Sequence, residues 1–264
     1  MKLAVLFWFY KEPDICLNHL QLIKKHNPRL KIFGLFGGDR KQARIYRRKL
    51  AAYLDEFYIS SYSHRPGAWK WINGDLLILD WYQKQGRRLA NWDSVLVIQW
   101  DALVLGSLKQ QFPGLRQNEI FISGVRRLDK TIERKWHWTK PGGRRRQNYL
   151  NFVRHVQSAY GYQQKLWASL FILPLFPRLF FEQWSAIKNK TFGMLEYKIP
   201  TYAKIFKIPF YRRDLGVRWF NRAADSGRTP LNAKGIEIRS DYIKRQLQKK
   251  DGYRIFHPYS DYCR

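Results

Sequence analysis

Hydrophobic positions along the first hundred residues fall into two alternating kinds of run. Leu3 to Phe9 is continuously apolar, the pattern of a strand buried on both faces. Pro13 and Asp14 then open a helix in which Ile15, Leu17, Leu20, Leu22 and Ile23 recur at roughly helical spacing, until His26-Asn27-Pro28 stops it. A second strand is predicted at Leu30 to Phe36, closed by Gly37-Gly38-Asp39. A strongly basic helix follows, with Ile45, Leu50 and Tyr53 for its inner face and a charge run that reads as a solvated side. Glu56 to Ser60 predicts a third strand. Asn73 to Gln85 predicts a helix carrying Leu76, Leu77, Leu79, Trp81 and Tyr82, and Ser94 to Gln99 a fourth strand. Four strands alternating with three helices predict a parallel, doubly wound α/β sheet.

Beyond Asp101 the pattern loosens. Val125 to Arg146 holds nine Lys or Arg against two acids, together with Trp136-His137-Trp138 and a Pro141-Gly142-Gly143 break, and reads as a long basic loop. Such loops are more often functional than structural. Short strands are expected at Glu119 to Ile122 and Ser169 to Leu173, helices at Arg178 to Lys188 and Met194 to Phe206, and a further loop at Tyr211 to Lys234. No internal repeat and no low-complexity segment is present.

Composition narrows the function classes. The chain has 264 residues, 45% hydrophobic and 17% aromatic, enough apolar surface to offset the entropy of ordering. Its two cysteines, Cys16 and Cys263, exclude a disulfide framework and a zinc knuckle. The opening apolar run passes straight into Lys11-Glu12-Pro13-Asp14, and Leu166 to Phe181 is broken by Pro174, Pro177 and Arg178. Neither reads as a membrane span, and a cytoplasmic location is expected. The formal charge of +29 predicts polyanionic company: phosphorylated substrates, an anionic membrane surface or nucleic acid. P-loop, zincin and nucleophile-elbow motifs are absent.

In an open parallel sheet, ligands bind beyond the carboxyl ends of the strands, so acids just past a strand come first. Asp101 stands there, between the apolar runs Val95 to Ile98 and Ala102 to Leu105. A carboxylate so placed is paired, hydrogen-bonded or metal-bound; capping a strand end is the plainer alternative. The segment WYQKQGRRLANWDSVLVIQWDALVLGSL, Trp81 to Leu108, resembles the nucleotide-sugar-binding half of GT-A-type glycosyltransferases, where a helix leads into a strand ending in an acidic DxD-like motif. Here Gln99-Trp100-Asp101 keeps only the final carboxylate. The resemblance implies a Rossmann-like GT-A fold with a central, mostly parallel sheet flanked by helices and long basic loops in the C-terminal half. It implies one domain over 1–264, with a nucleotide-sugar-binding half at 1–110 and an acceptor-binding half at 111–264. It also implies a hexosyltransferase-like activity using Mn or Mg.

By the same resemblance, Glu196 matches the acceptor-side acid that inverting members use as a catalytic base. His257, in Phe256-His257-Pro258-Tyr259, matches the late histidine that completes the metal site with Asp101. Both residues have plainer readings, Glu196 as a first-turn helix acid favoured by the helix dipole and His257 as a surface histidine. Position further nominates Lys11, Asp39, Lys70, Asn73, Asp75 and Gln99 as donor contacts, with Asn73 equally a helix cap. Glu182 is a competing base on an amphipathic helix, where an outward acid is the commoner explanation. The expected partners are a nucleotide-sugar donor and a glycan or other hydroxyl acceptor. Peripheral contact with an anionic membrane, through aromatics around Trp167 to Trp184, is a further expectation. The reading from a different class is a non-catalytic nucleic-acid-binding protein, in which Trp136 and Trp138 stack bases and Arg144 to Arg146 meet phosphates.

Overall fold

Residue parity along the first strand divides the interior in two. In the computed structural model, which describes residues 1–220 and 222–263, strand β1 (Leu3–Phe9) lies at the centre of a sheet and is buried along almost its whole length. Ala4, Leu6 and Trp8 join one apolar cluster and Val5, Phe7 and Phe9 the other. A strand covered on both faces needs no polar alternation, which explains the unbroken LAVLFWF.

Helix α1 (Pro13–His26) starts with Pro at its first turn and carries Lys24 and Lys25 in its last, charges suited to its dipole. Strand β2 (Lys31–Phe36), helix α2 (Ala43–Leu50), strand β3 (Glu56–Ile59), helix α3 (Gly67–Lys84) and strand β4 (Ser94–Gln99) follow. The sheet order is β3-β2-β1-β4, all parallel, with a later antiparallel strand on the far edge of β4. Helices α1 and α2 cover the face of Val5, and α3 covers the face of Ala4. The mostly parallel sheet flanked by helices is the architecture the alternating pattern predicts.

Helix α3 begins six residues earlier than the apolar spacing implies. Asn73 breaks its backbone, with φ −122° and ψ 24°, and the Asn73 amide donates to the Trp69 carbonyl at 3.1 Å. At Gly74, a Cβ would lie 2.4 Å from the Trp8 ring, so only glycine lets α3 approach β1 this closely. That approach places Trp8 at the end of the sheet where the candidate site forms.

The C-terminal part is built from short pieces: β5 (Leu103–Val104), α4 (Leu108–Gln111), β6 (Arg126–Arg127), α5 (Lys130–Lys135), α6 (Arg146–Tyr160), β7 (Trp167–Ala168), β8 (Leu175–Pro177), α7 (Arg178–Ser185), α8 (Leu195–Ile205), α9 (Ser240–Gln248) and β9 (Ile255–Phe256). The edge strand on β4 is β8, and Ser169 to Leu173, expected as a strand, is a loop between β7 and β8. Glu119 to Ile122 forms isolated bridges through Ile120 and Phe121 instead of a strand. The expected basic loop contains β6 and α5, and it runs into α6, a helix the apolar spacing did not announce. Helix α6 buries only Tyr149, Phe152 and Val156, a stripe too narrow to stand out. The aromatics from Trp167 to Trp184 are core residues, with Phe176, Phe180, Phe181 and Trp184 fully buried. They present no face to a membrane, and among the described residues no helix is long and apolar enough to cross one.

Candidate active site

The carboxyl end of β4 and a late strand pair bring two predicted residues together. Beyond Gln99 the chain turns, with the Ala102 N–H donating to the Gln99 carbonyl at 2.9 Å, so Asp101 sits past the strand end. Strand β5 then pairs antiparallel with β9, Leu103 opposite Phe256, which carries His257 back beside Asp101. Asp101 Oδ1 and His257 Nε2 are 3.5 Å apart. The His257 backbone is fixed on both sides: its N–H donates to Pro230 at 2.9 Å and its carbonyl accepts from Asn232 at 2.7 Å. Burial pushes the Asp101 carboxyl up, but the neighbouring His257 ring, backbone hydrogen bonding and the Lys11 ammonium outweigh it and hold the group below its ordinary value. Lys11 lies over the Trp100 ring at 4.5 Å.

Glu196 reaches the same end of the sheet on the first turn of α8. The segment after β7 runs alongside that helix and bonds to it repeatedly. The Trp167 N–H donates to Thr201 Oγ1 at 3.0 Å, the Ser169 N–H to the Glu196 carbonyl at 2.8 Å, and the Phe171 N–H to Glu196 Oε1 at 3.0 Å. The Phe171 carbonyl in turn accepts from Gln99 Nε2 at 3.5 Å. One residue, Phe171, thereby links the side chain that ends β4 to the acid of α8. Burial raises the Glu196 carboxyl to about 7, against the modest lowering effect of the Phe171 N–H. Its second oxygen has no hydrogen-bond partner among the described residues.

Gln99, Glu196 and His257 line one cavity of about 220 Å³, with Trp8, Tyr10 and Lys70 among its other walls. Lys70 was nominated for the donor, and its ammonium also donates to the carbonyls of Gly37 and Ser63, at 2.8 Å for the latter. Burial lowers the Lys70 pKa while Asp39 partly restores it. Asp101 lies behind His257, and Lys11 beside Trp100, outside the cavity lining.

Three nominations are placed elsewhere. Asp39 is exposed and accepts from the Lys41 N–H at 3.0 Å, capping a short 3-10 turn. Asn73 serves the α3 break and faces a different cavity. Asp75 is fully buried, 2.5 Å from the equally buried Lys198 ammonium, so it is a structural ion pair between α3 and α8 and not a donor contact. That pair was missed, although Lys198, set between Tyr197 and Ile199, and a lone acid within INGDLLIL are the signal that finds it. Glu182 points outward and is exposed. Trp136 and Trp138, expected to stack bases, are 5% and 3% exposed, and Arg146 is paired with Glu133 at 2.6 Å. The buried rings are packing residues, so that part of the nucleic-acid expectation does not hold.

No protein-family model matches the chain, and a comparison with curated proteins returns no match. In fold the chain is similar to solved glycosyltransferases. The bifunctional glycosyltransferase WbbM aligns over 96% of this chain at 11% identity with a TM-score of 0.42, and this chain spans 45% of its length. The galactosyltransferase LgtC, solved with donor and acceptor sugar analogues, aligns over 98% of this chain and 87% of its own at 12% identity and a TM-score of 0.49. An active-site mutant of LgtC gives 11% identity and 0.46 over the same shares.

Among the described residues no group of three or more His, Cys, Asp and Glu is placed to hold a metal ion. Asp101 and His257 form a two-residue set of one oxygen and one nitrogen donor. Asp101 Oδ1 is buried and faces His257 Nε2 at 3.5 Å, with no closer hydrogen-bond partner among the described residues. One carboxylate oxygen and one imidazole nitrogen at this spacing fit a divalent ion that takes the rest of its shell from other ligands.

Proposed function

We propose that the protein is a glycosyltransferase, moving a hexose from a nucleotide-sugar donor to an acceptor hydroxyl with inversion. The observation that carries this reading is Glu196: a carboxyl raised to about 7, with one oxygen held by the Phe171 peptide, lining a cavity at the carboxyl end of the central strands. A base poised near neutral pH is matched to taking a proton from a hydroxyl.

In the proposed step the acceptor oxygen attacks the anomeric carbon while the bond from that carbon to the diphosphate oxygen breaks. The acceptor proton passes to the Glu196 carboxylate, and the nucleoside diphosphate departs with the bonding electrons. Asp101 and His257 would hold a Mn or Mg ion, which supplies charge neutralisation of the departing diphosphate. Gln99, tied to Glu196 through Phe171, keeps the donor end and the base in register. Residues 1–110 then contribute most of the donor side and 111–264 the acceptor side.

The test is the thermal stability of the purified protein against UDP, GDP, ADP and CMP, each with and without Mn, beside Asp101→Ala and Glu196→Gln. A ligand bound only by the folded state at about 100 times its dissociation constant adds about 2.7 kcal/mol, a clear shift. The expected result is a metal-dependent shift with one nucleotide, lost in Asp101→Ala and kept in Glu196→Gln. Absence of a shift with every nucleotide overturns the reading.

A further inference from the structure

Glu196 lines two cavities. The second, about 310 Å³, is walled by Lys135 to Trp138, Arg218 to Phe220 and Leu231 to Lys234, with Trp71 at its edge. Its volume stands at the lower end of the range for small-ligand sites, about 300–1,000 Å³. It shares Glu196, Trp71 and Ala233 with the first cavity, so the two cavities adjoin at the proposed base.

Its rings differ from those of the core. Trp71 is 62% exposed and Phe220 47% exposed, although both are large apolar groups that folding would otherwise bury. Trp71 is braced, not loose: His137 stacks on it at 6.3 Å and Trp138 meets it edge-on at 5.2 Å. An open, braced ring face beside a catalytic acid fits a ligand with one apolar face and polar edges, which is the shape of a pyranose.

Charge narrows the ligand further. Lys135, Arg218 and Lys234 line the cavity, and Glu196 is the one acid among its described lining residues. Arg218 is fixed by two hydrogen bonds of 2.7 Å that it donates to Asp214, and Lys234 by one of 2.7 Å that it donates to Asp225, which positions both but neutralises much of their charge. Lys135 is exposed, and Lys140 and Arg145 stand behind the rings, with the Arg145 guanidinium 5.6 Å from the Trp138 centroid. The His137 imidazole registers this field: burial first, then Lys140 and Arg145, hold its pKa below the ordinary value. Among the described lining residues, Glu196 is the single acid set against this positive charge.

We infer that the second cavity seats the acceptor and that the acceptor is an acidic saccharide, its ring on Trp71 and Phe220 and its carboxylate or phosphate toward Lys135. The assignment as acceptor rests on Glu196 being the base. A nucleic acid is the less favoured occupant, because the cavity is small and two of its tryptophans are buried.

Calorimetry and tryptophan fluorescence with the full chain test the inference. The probes are trigalacturonate against maltotriose, glucose 6-phosphate against glucose, and a single-stranded oligonucleotide, with UDP and its counterparts measured in parallel. One charge-assisted hydrogen bond predicts about tenfold tighter binding of at least one acidic probe over its neutral partner. Lys135→Gln should close that gap, and Trp71→Ala should weaken acidic and neutral sugars alike. Preference for the carboxylate or for the phosphate probe identifies which acid is meant, and either supports the inference. Equal affinity for charged and neutral sugars, no binding of any sugar, or displacement of the acidic sugar by oligonucleotide at lower concentration overturns it. Nucleotide binding beside such a failure leaves the transferase reading intact. Acidic-sugar preference without nucleotide binding overturns the transferase reading and, with it, the role of acceptor.

Discussion

The tip of β4 and the first turn of α8 each present one carboxyl to the same end of the sheet, and the two are held in opposite states. Asp101 and Glu196 are both withdrawn from water, and burial raises both. Asp101 has the His257 ring 3.5 Å away and Lys11 nearby, and it falls below its ordinary value. Glu196 has one peptide N–H and no cation among its causes, and it rises to about 7. Depth alone therefore does not decide the protonation state; a cation within reach does. In the proposed reaction the pair divides labour as acid and base sites do elsewhere, one carboxylate kept charged to face a cation and the other left able to take a proton.

The largest expected effect falls on Glu196. Glu196→Gln keeps an oxygen for the Phe171 N–H but removes the base, and turnover should fall by about 10²- to 10⁴-fold with nucleotide binding unchanged. In the wild type kcat/KM should rise with pH through about 7, because the base must be deprotonated. The same substitution at Asp101 should act on donor affinity. A flat pH profile between 5 and 8, or an Asp101→Asn variant with the same kinetic signature as Glu196→Gln, would erase the difference between the two sites.

Next comes the support under α8. Lys198, two residues after Glu196, is buried against Asp75 of α3, and its ammonium also donates to the Lys190 carbonyl at 3.0 Å. Removing one partner of a buried pair leaves an uncompensated charge, so Asp75→Ala should lower stability by about 3–5 kcal/mol in denaturant melts. Replacing both, Asp75→Leu with Lys198→Met, should recover much of that. Recovery without the return of turnover would show that the pair also aims Glu196; recovery of both would confine it to holding the helices together.

These two sites were not equally legible in the sequence. Asp101 could be found because β4 is a six-residue apolar strand whose end is marked by the residues that follow, and parallel sheets collect ligands at that end. Glu196 and His257 were reached only through a family resemblance, since nothing local shows that β9 pairs with β5 or that the loop after β7 clasps α8. Those contacts join residues far apart in the chain and made of very short strands, two residues in each of β5, β7 and β9. The same shortness turned Ser169 to Leu173 into a loop, because its N–H groups are spent on Ser123 and Glu196 instead of a ladder. Trp136 and Trp138 misled for a related reason: an aromatic in a basic stretch reads as a binding residue until the fold shows which rings are covered. Trp71 and Phe220, which nothing in the pattern distinguished, are the open ones.

The smallest effect is the one that bears most directly on the two carboxyls: opposite pH dependence of stability. A carboxyl lowered by folding adds stability above its unfolded value and loses it as the pH falls through the folded one, so Asp101→Asn should cost about 1 kcal/mol at pH 6 and progressively less as the pH drops below 3.8. A carboxyl raised by folding works the other way. The native state holds the Glu196 proton more tightly than the unfolded chain does, so stability declines as the pH climbs from 4.5 to about 7. Glu196→Gln carries no such proton, and it should melt a few degrees above wild type at pH 8 while matching it near pH 4. Thermal melts of the three proteins at pH 2.5, 4, 6 and 8 read both signs at once. Two variants displaced in the same direction at pH 8 would mean that both acids are held alike, and the division between a cation-facing carboxylate and a base would fail on stability grounds before any substrate is known.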